Sequence, residues 1–219
     1  MPCLFIKRQG FFWRYFKMNK SINTKSIAVM AVMSAIGFIL MVLEFPLPFI
    51  IPPFIKFDFS ELPAIITAFA LGPVQGIVVC LVKNLLHLFI TTTAGVGELS
   101  NFILGAIFVG TAGFIYRHKK TRFGALIGSL AGAVAMAVIG VATNYFITYP
   151  FYTNFMPMEA IIGAYQALLP SCDSLVKCLV VFNLPFNFFK GIVDAVICFA
   201  IYKKLSPILK SRRTSSKSK

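Results

Sequence analysis

Residues 62–91 read LPAIITAFALGPVQGIVVCLVKNLLHLFIT. Whether this stretch crosses a membrane once or twice decides the fold. A helix needs about 20 apolar residues to cross the hydrocarbon core. Gly72-Pro73 interrupts the run: glycine accommodates a tight turn, and proline opens a helix far better than it continues one. The stretch is therefore read as two spans, residues 62–71 and 74–91, the first of them short. Read as one span, it would leave five in the chain and put the two ends on opposite sides.

The cations decide between these readings. Seventeen of the 21 Lys and Arg residues lie in three short stretches, and none of the seven acids falls in any of them. Lys7, Arg8, Arg14, Lys17, Lys20 and Lys25 precede the first apolar run. Arg117, Lys119, Lys120 and Arg122 form a middle loop, and Lys203, Lys204, Lys210, Arg212, Arg213, Lys217 and Lys219 close the chain. Cations near membrane spans stay on the cytoplasmic side, so both termini and the middle loop are expected there. An even number of spans satisfies this. Counting outward from 62–91, the spans are residues 26–43, 62–71, 74–91, 97–116, 123–146 and 185–202. Residues 44–59, 92–96 and 147–184 then face outside.

Composition agrees with a polytopic membrane protein. The chain is 58% hydrophobic and 13% charged, with a mean hydropathy of +0.83, more apolar surface than a soluble domain of 219 residues could hide. The expected fold is all-α: a six-helix membrane bundle over residues 26–205, preceded by a basic segment at 1–25 and followed by a basic, disordered tail at 206–219. The net charge of +14 flanks apolar spans instead of forming an aromatic-interleaved patch, so anionic lipid headgroups are the expected partner and nucleic acid is not. The N-terminus lacks a secretory cleavage site, and Met18 is an alternative start to Met1. Cys80 and Cys198 read as small packing residues; Cys172 and Cys178 share an outer segment, where a disulfide and reduced thiols both stay open.

Ionisable and amide side chains inside a bilayer are costly and mark function by default. Lys83, Asn84 and His87 sit in the third span, Glu98 and Asn101 open the fourth, and Asn144 ends the fifth. Asn187, Lys190 and Asp194 share one face of the sixth. With the orientation above, nearly all lie at one depth in the outer half of the bilayer, which points to a pocket opening outward. Each has a plainer reading. Lys190 could pair with Asp194 one turn away, Glu98 could serve the dipole of its helix, the asparagines could cross-link helices, and His87 could be a satisfied interior histidine. Lys83 has no acid within one turn. Amides offer donor and acceptor together and match the edge of a neutral heterocycle. Many of the 24 Phe cluster in residues 45–59 and 182–189, suited to a flat aromatic guest. The residues alone thus reach a small, planar, amphipathic ligand.

Two rows of small residues, Ala28/Ala31/Ala35 and Gly124/Gly128/Gly132, let helices approach closely, either inside the bundle or against a partner. No GxxxxGK[ST] motif is present, so the chain carries no P-loop. His87 and His118 are the only histidines, and no catalytic constellation is visible, which argues against an enzyme and against a metal site. An autonomous secondary carrier remains the alternative from a different class.

The segments Lys56-Phe-Asp-Phe-Ser-Glu-Leu-Pro63, Ala70-Leu-Gly-Pro73, Lys83-Asn-Leu-Leu-His87, Gly97-Glu-Leu-Ser-Asn101, Asn144-Tyr-Phe and Leu184-Pro-Phe-Asn-Phe-Phe-Lys-Gly191 run in order along most of the chain. Together they resemble the substrate-binding S components of energy-coupling factor (ECF) vitamin transporters, and specifically the riboflavin branch. The resemblance implies riboflavin, or its phosphate FMN, as transported substrate and no cofactor. It implies that Asn144, Asn187 and Lys190 hydrogen-bond the ring edge, with Glu98, Asn101 and the Lys83/Asn84 face nearby. It further implies that Ala28, Ala31 and Ala35 dock a transmembrane coupling subunit, which works with two ATPase subunits. The S component of another vitamin would share the fold and differ at the ligand edge. Residues 153–181 are long for the family, and so is the extension before Met18.

Overall fold

In a computed structural model, the described residues are 24–91 and 93–214, with side chains through Ile201. The cations from Lys7 to Lys20, the alternative start at Met18, Thr92, and Lys217 and Lys219 lie outside them.

The stretch that decides the fold forms a helical hairpin. Helix α1 (Thr24–Val42) leads through a loop to α2 (Glu61–Ala70), and α3 (Pro73–His87) follows, prolonged by a 3-10 turn at Leu88–Ile90. The chain reverses at Gly72, whose φ of 132° is open to glycine alone, and Pro73 occupies the first turn of α3. The helices then pack closely: a Cβ at Gly76 would lie 2.7 Å from Ala68 Cβ and 2.8 Å from Ala64 O. The stretch is therefore two helices and not one continuous one. The 10 residues of α2 cover only about 15 Å along the axis. Among the described residues, five helical stretches have the length and hydropathy to cross a membrane: Thr24–Val42, Pro73–Ile90, Val96–His118, Arg122–Tyr152 and Leu175–Ile201.

Helices α4 (Val96–His118) and α5 (Arg122–Thr143) complete the centre of the bundle. Gly128 and Gly132 face the Ala112 and Phe108 carbonyls, which a Cβ would meet at 2.7 and 2.5 Å. That glycine row packs inside the molecule. The core gathers Ile65, Val79, Phe108, Val109, Ala133 and Met136. Outward-facing Val134, Val138, Phe146 and Val196 are exposed, an apolar skin that suits hydrocarbon better than water. On α1, Ser34, Gly37 and Met41 are buried, whereas Ala28, Ala31 and Ala35 are exposed.

Two helices run beyond the span bounds read from the sequence, into the segment 147–184. A π turn at Asn144–Thr148 carries α5 into α6 (Tyr149–Tyr152). A second π turn at Leu179–Asn183 joins α8 (Leu175–Cys178) to α9 (Leu184–Thr214). Each ends two residues before a proline, Pro150 or Pro185. Proline donates no N–H to the carbonyl four residues back and crowds it. The wider turns, closed by Tyr149 N–H to Asn144 O and Leu184 N–H to Leu179 O, relieve that crowding and keep the helix going. Between them lies α7 (Met158–Gln166), so most of the expected outer segment is helical. The backbone of α9 also continues as helix to Thr214, past Ser206, where a disordered tail was expected; leucine, lysine and arginine in 203–213 are good helix formers.

The 44–60 loop is folded. Phe45–Pro46 (β1) pairs antiparallel with Lys56–Phe57 (β2), and Phe57 stacks edge-on against Phe186 with centroids 6.0 Å apart. Cys172 and Cys178 are free thiols, buried with Tyr149, Ile161, Tyr165 and Leu179.

Candidate ligand-binding site

The polar residues scattered along the chain meet at one end of the bundle. Helix α3 delivers its last turns there, α4 its first, α5 its end, and α9 its beginning, which is why residues so distant in sequence share a level. A cavity of about 450 Å³ opens among them, a volume typical of a small-molecule site. Of the residues expected to bind, Glu98, Asn101, Asn144, Asn187 and Lys190 line it. Lys83 and Asn84 do not.

Lys83 sits behind the wall, fully buried. Its ammonium donates to Glu61 Oε1 at 2.8 Å and Asn101 Oδ1 at 3.1 Å, and also to Ser60 Oγ. The acid that sequence spacing could not find for Lys83 comes from α2. Room for the lysine stem exists because α1 presents Gly37, where a Cβ would stand 3.4 Å from Lys83 Cδ. Asn84 turns to its own helix and donates to the Cys80 carbonyl at 2.7 Å.

Lys190 does not pair with Asp194. Its Nζ donates to Asp58 Oδ2 at 2.8 Å and lies 3.0 Å from Glu61 Oε2. The reason is geometric: Asp58 and Glu61 converge on it from the loop and from α2, while Asp194 is buried with both carboxyl oxygens unpartnered. Asp58 also accepts from the Ser60 N–H at 2.7 Å. Burial alone would raise the Asp58 carboxyl, but the Lys190 and Lys83 ammonium groups outweigh it and hold the acid well below the usual carboxylate range. One buried network therefore ties the 44–60 loop and α2 to α3, α4 and α9.

The amides behave differently. Asn187 is buried, yet its side chain forms no hydrogen bond among the described residues. Asn144 receives only a long contact from Ser100 Oγ, 3.4 Å to Oδ1. Buried amides are ordinarily satisfied, so these two present free donors and acceptors to the cavity. Around them stand Phe54, Tyr149, Tyr152, Phe155, Met136 and Phe186, surfaces against which a flat ring can pack.

Toward the start of α4, Glu98 Oε1 lies 2.8 Å from His87 Nδ1, and Glu98 Oε2 accepts from Thr91 and Thr93 hydroxyls at 2.9 and 3.0 Å. The sequence reading missed a third amide. Asn183 lines the cavity from the second π turn, its Oδ1 accepting from Tyr165 OH at 2.6 Å and its Nδ2 donating to Tyr149 OH at 3.4 Å. Burial raises the Tyr165 hydroxyl above the usual phenol range, so it stays a donor. Asp58 and Glu61 were also missed, although both lie in the quoted Lys56–Pro63 segment. Lying four positions and one position before the second span, they were legible as loop residues only.

Comparison with known proteins follows the same lines. The profile of the family described as "ECF transporter, substrate-specific component" matches residues 25–202. The chain is 34% identical over 194 residues to the riboflavin transporter RibU of Staphylococcus aureus (strain TCH60), covering 89% of this chain and 96% of that protein. It is 36% identical over 197 residues to the riboflavin transporter FmnP of Bacillus subtilis (strain 168), covering 88% and 98%. A solved structure, described as "Structure and mechanism of the S component of a bacterial ECF transporter", superposes with a TM-score of 0.68 at 33% identity, over 85% of this chain and 98% of that one. A helical bundle with this family's profile across nearly all of its described length leaves one assignment: the chain belongs to the substrate-specific components of ECF transporters.

Proposed function

We propose that this chain captures riboflavin in the cavity beneath the 44–60 loop and hands it on for uptake across the cell membrane. The observation that carries this reading is the pair of buried amides, Asn144 and Asn187, left without strong protein partners on a cavity of about 450 Å³ walled by aromatic rings. The pyrimidine-like edge of a flavin alternates donors and acceptors and complements such amides. The two relatives named as riboflavin transporters support the choice of ligand. Asn144, Asn187 and Asn183 are assigned to the ring edge, and Lys190 and Asn101 to the inner wall beside it.

Membership of the ECF family supports a transmembrane coupling subunit and two ATPase subunits as its partners, and a sequence without a P-loop of its own is compatible with that. The exposed Ala28/Ala31/Ala35 row on α1 is the docking face for the coupling subunit. Six crossing segments, with α2 as the short one, put both basic termini in the cytoplasm and the cavity at the outer leaflet. Titration of the purified protein with riboflavin tests the ligand assignment: flavin fluorescence quenches to a one-to-one endpoint. Absence of quenching, with binding of a different vitamin, reassigns the site.

A further inference from the structure

The connection between α7 and α8 holds two cysteines that the ligand site does not use. Cys172 lies in the turn after α7, where its N–H donates to the Leu169 carbonyl. Cys178 closes α8, and its N–H donates to the Ser174 carbonyl. Both side chains are buried in one cluster with Tyr149, Ile161, Tyr165 and Leu179, and the two thiols hydrogen-bond to each other. The other described cysteines, Cys80 and Cys198, sit in the separate core around Phe108 and Ala133. The chain around the pair is open: Pro170, Ser171, Asp173 and Ser174 are exposed. Cys178 directly precedes the π turn that carries Asn183 to the cavity, and Tyr165 reaches Asn183 from α7 through a hydrogen bond of 2.6 Å.

We propose that Cys172 and Cys178 form a modification site: the thiol pair closes to a disulfide on the outer side of the membrane and clamps the α7–α8 connection beside Asn183. The proposal rests on the outward orientation and the riboflavin reading given above. Disulfides form and persist outside the cytoplasm. The oxidant is a small-molecule disulfide, which reaches the pair while the connection is still folding or locally open. One cysteine thiolate attacks it, forming a mixed disulfide and releasing one thiol. The second thiolate attacks the protein sulfur of that mixed disulfide, forms the Cys172–Cys178 bond and releases the other thiol. Two electrons pass to the oxidant, and the two protons leaving the cysteines end on the two released thiols. The contact between the thiols selects this pairing over one with the distant Cys80 or Cys198. The bond closes a short ring around α8 and so limits local opening next to Asn183.

The full chain is expressed in Bacillus subtilis, acid-trapped, unfolded and alkylated with N-ethylmaleimide before and after reduction. Of its 5 cysteines, those at 172 and 178 label only after reduction, and peptide mass mapping finds them joined. Oxidised glutathione drives the purified protein to the same state, and dithiothreitol reverses it. Reduction speeds riboflavin release about tenfold by stopped-flow fluorescence. Cys172→Ser/Cys178→Ser releases it at the reduced rate and ignores dithiothreitol; if that variant does not fold, reduction of the native chain decides. Full labelling of both cysteines in cells and after oxidised glutathione overturns the proposal, as does a bridge from either to another cysteine. A Cys172–Cys178 bridge that leaves the release rate unchanged overturns the clamp. Asn154→Cys, at an exposed position of the same segment, reports orientation: an impermeant maleimide labels it in intact cells. Label in opened cells alone removes the outward orientation and the proposal with it. A native chain that binds no flavin removes the riboflavin reading instead and leaves the bridge to the mapping.

Discussion

Lys190 Nζ donates to Asp58 Oδ2 at 2.8 Å across 132 positions of sequence. This bond joins the last helix to the loop over the cavity, and it lies inside the ligand wall. The network around it contains two ammonium groups and Asp58 and Glu61, all buried. Loss of one member strands the others without water.

Asp58→Asn leaves Lys190 with Glu61 alone. Breaking a buried pair from one side costs about 3–5 kcal/mol. The expected outcome is a lower detergent-unfolding temperature and faster flavin release, measured by stopped-flow fluorescence. The sign of the pH effect follows from the direction of the shift. Because the folded-state pKa of Asp58 lies below its ordinary 3.8, its contribution is fully present above 3.8 and is lost as pH falls through the lower folded value. Stability contributed by this carboxylate is then flat from about pH 5 to 8, and native and Asp58→Asn unfolding curves converge only in strong acid.

Asn187→Ala removes an amide whose only available partner is the ligand. Neutral hydrogen bonds contribute about 0.5–1.5 kcal/mol each, so a two-bond edge contact predicts a tenfold-scale loss of affinity (about 1–3 kcal/mol). Protein yield and unfolding temperature stay near native, because no internal bond is lost. A variant that loses stability but binds riboflavin normally would show Asn187 to be a structural cross-link.

Gly140→Ala tests the same amide without touching it. A Cβ at this position would stand 2.6 Å from Asn187 Nδ2 and 3.2 Å from Leu104 Cδ2. Both neighbours are side-chain ends that can yield, so the bundle holds while the amide is displaced. Calorimetry is expected to give a weaker, less enthalpic binding of riboflavin, by about tenfold for a lost hydrogen bond.

Ala31→Trp places bulk on the exposed row of α1, away from the cavity. Flavin binding by the isolated protein stays unchanged, while uptake into cells carrying the complete transporter is abolished. Loss of binding in the purified variant would move that row from a docking face to the interior.

The sequence carried the fold where physics is local. Gly72-Pro73 announced the hairpin because one residue needs a positive φ and the next cannot sit mid-helix. The site was legible wherever an intramembrane polar residue had no lipid-compatible purpose, as with Asn144, Asn187 and Lys190. It was illegible where pairing crosses the chain. Lys83 was left without an acid because Glu61 reaches it from 22 positions away, and Lys190 was offered Asp194 because that acid is one helical turn along. Sequence spacing ranks near neighbours first, whereas burial lets remote carboxylates win. Residues 147–184 were read as one outer segment, and the prolines at 150 and 185 stand near its two ends. Both prolines sit just past π turns that absorb them.

Those turns fix something that substitution cannot change, namely length. A π turn holds one residue more than the α turn it replaces. Removing a residue from Asn144–Thr148 or Leu179–Asn183 would swing everything beyond it by about 100° around the axis. Tyr149 would leave the aromatic wall in one case, and Asn187 and Lys190 would rotate away from Asn144 in the other. Related chains that share this guest can vary their letters freely along both helices, but a single-residue gap at either bulge should accompany a change of cargo.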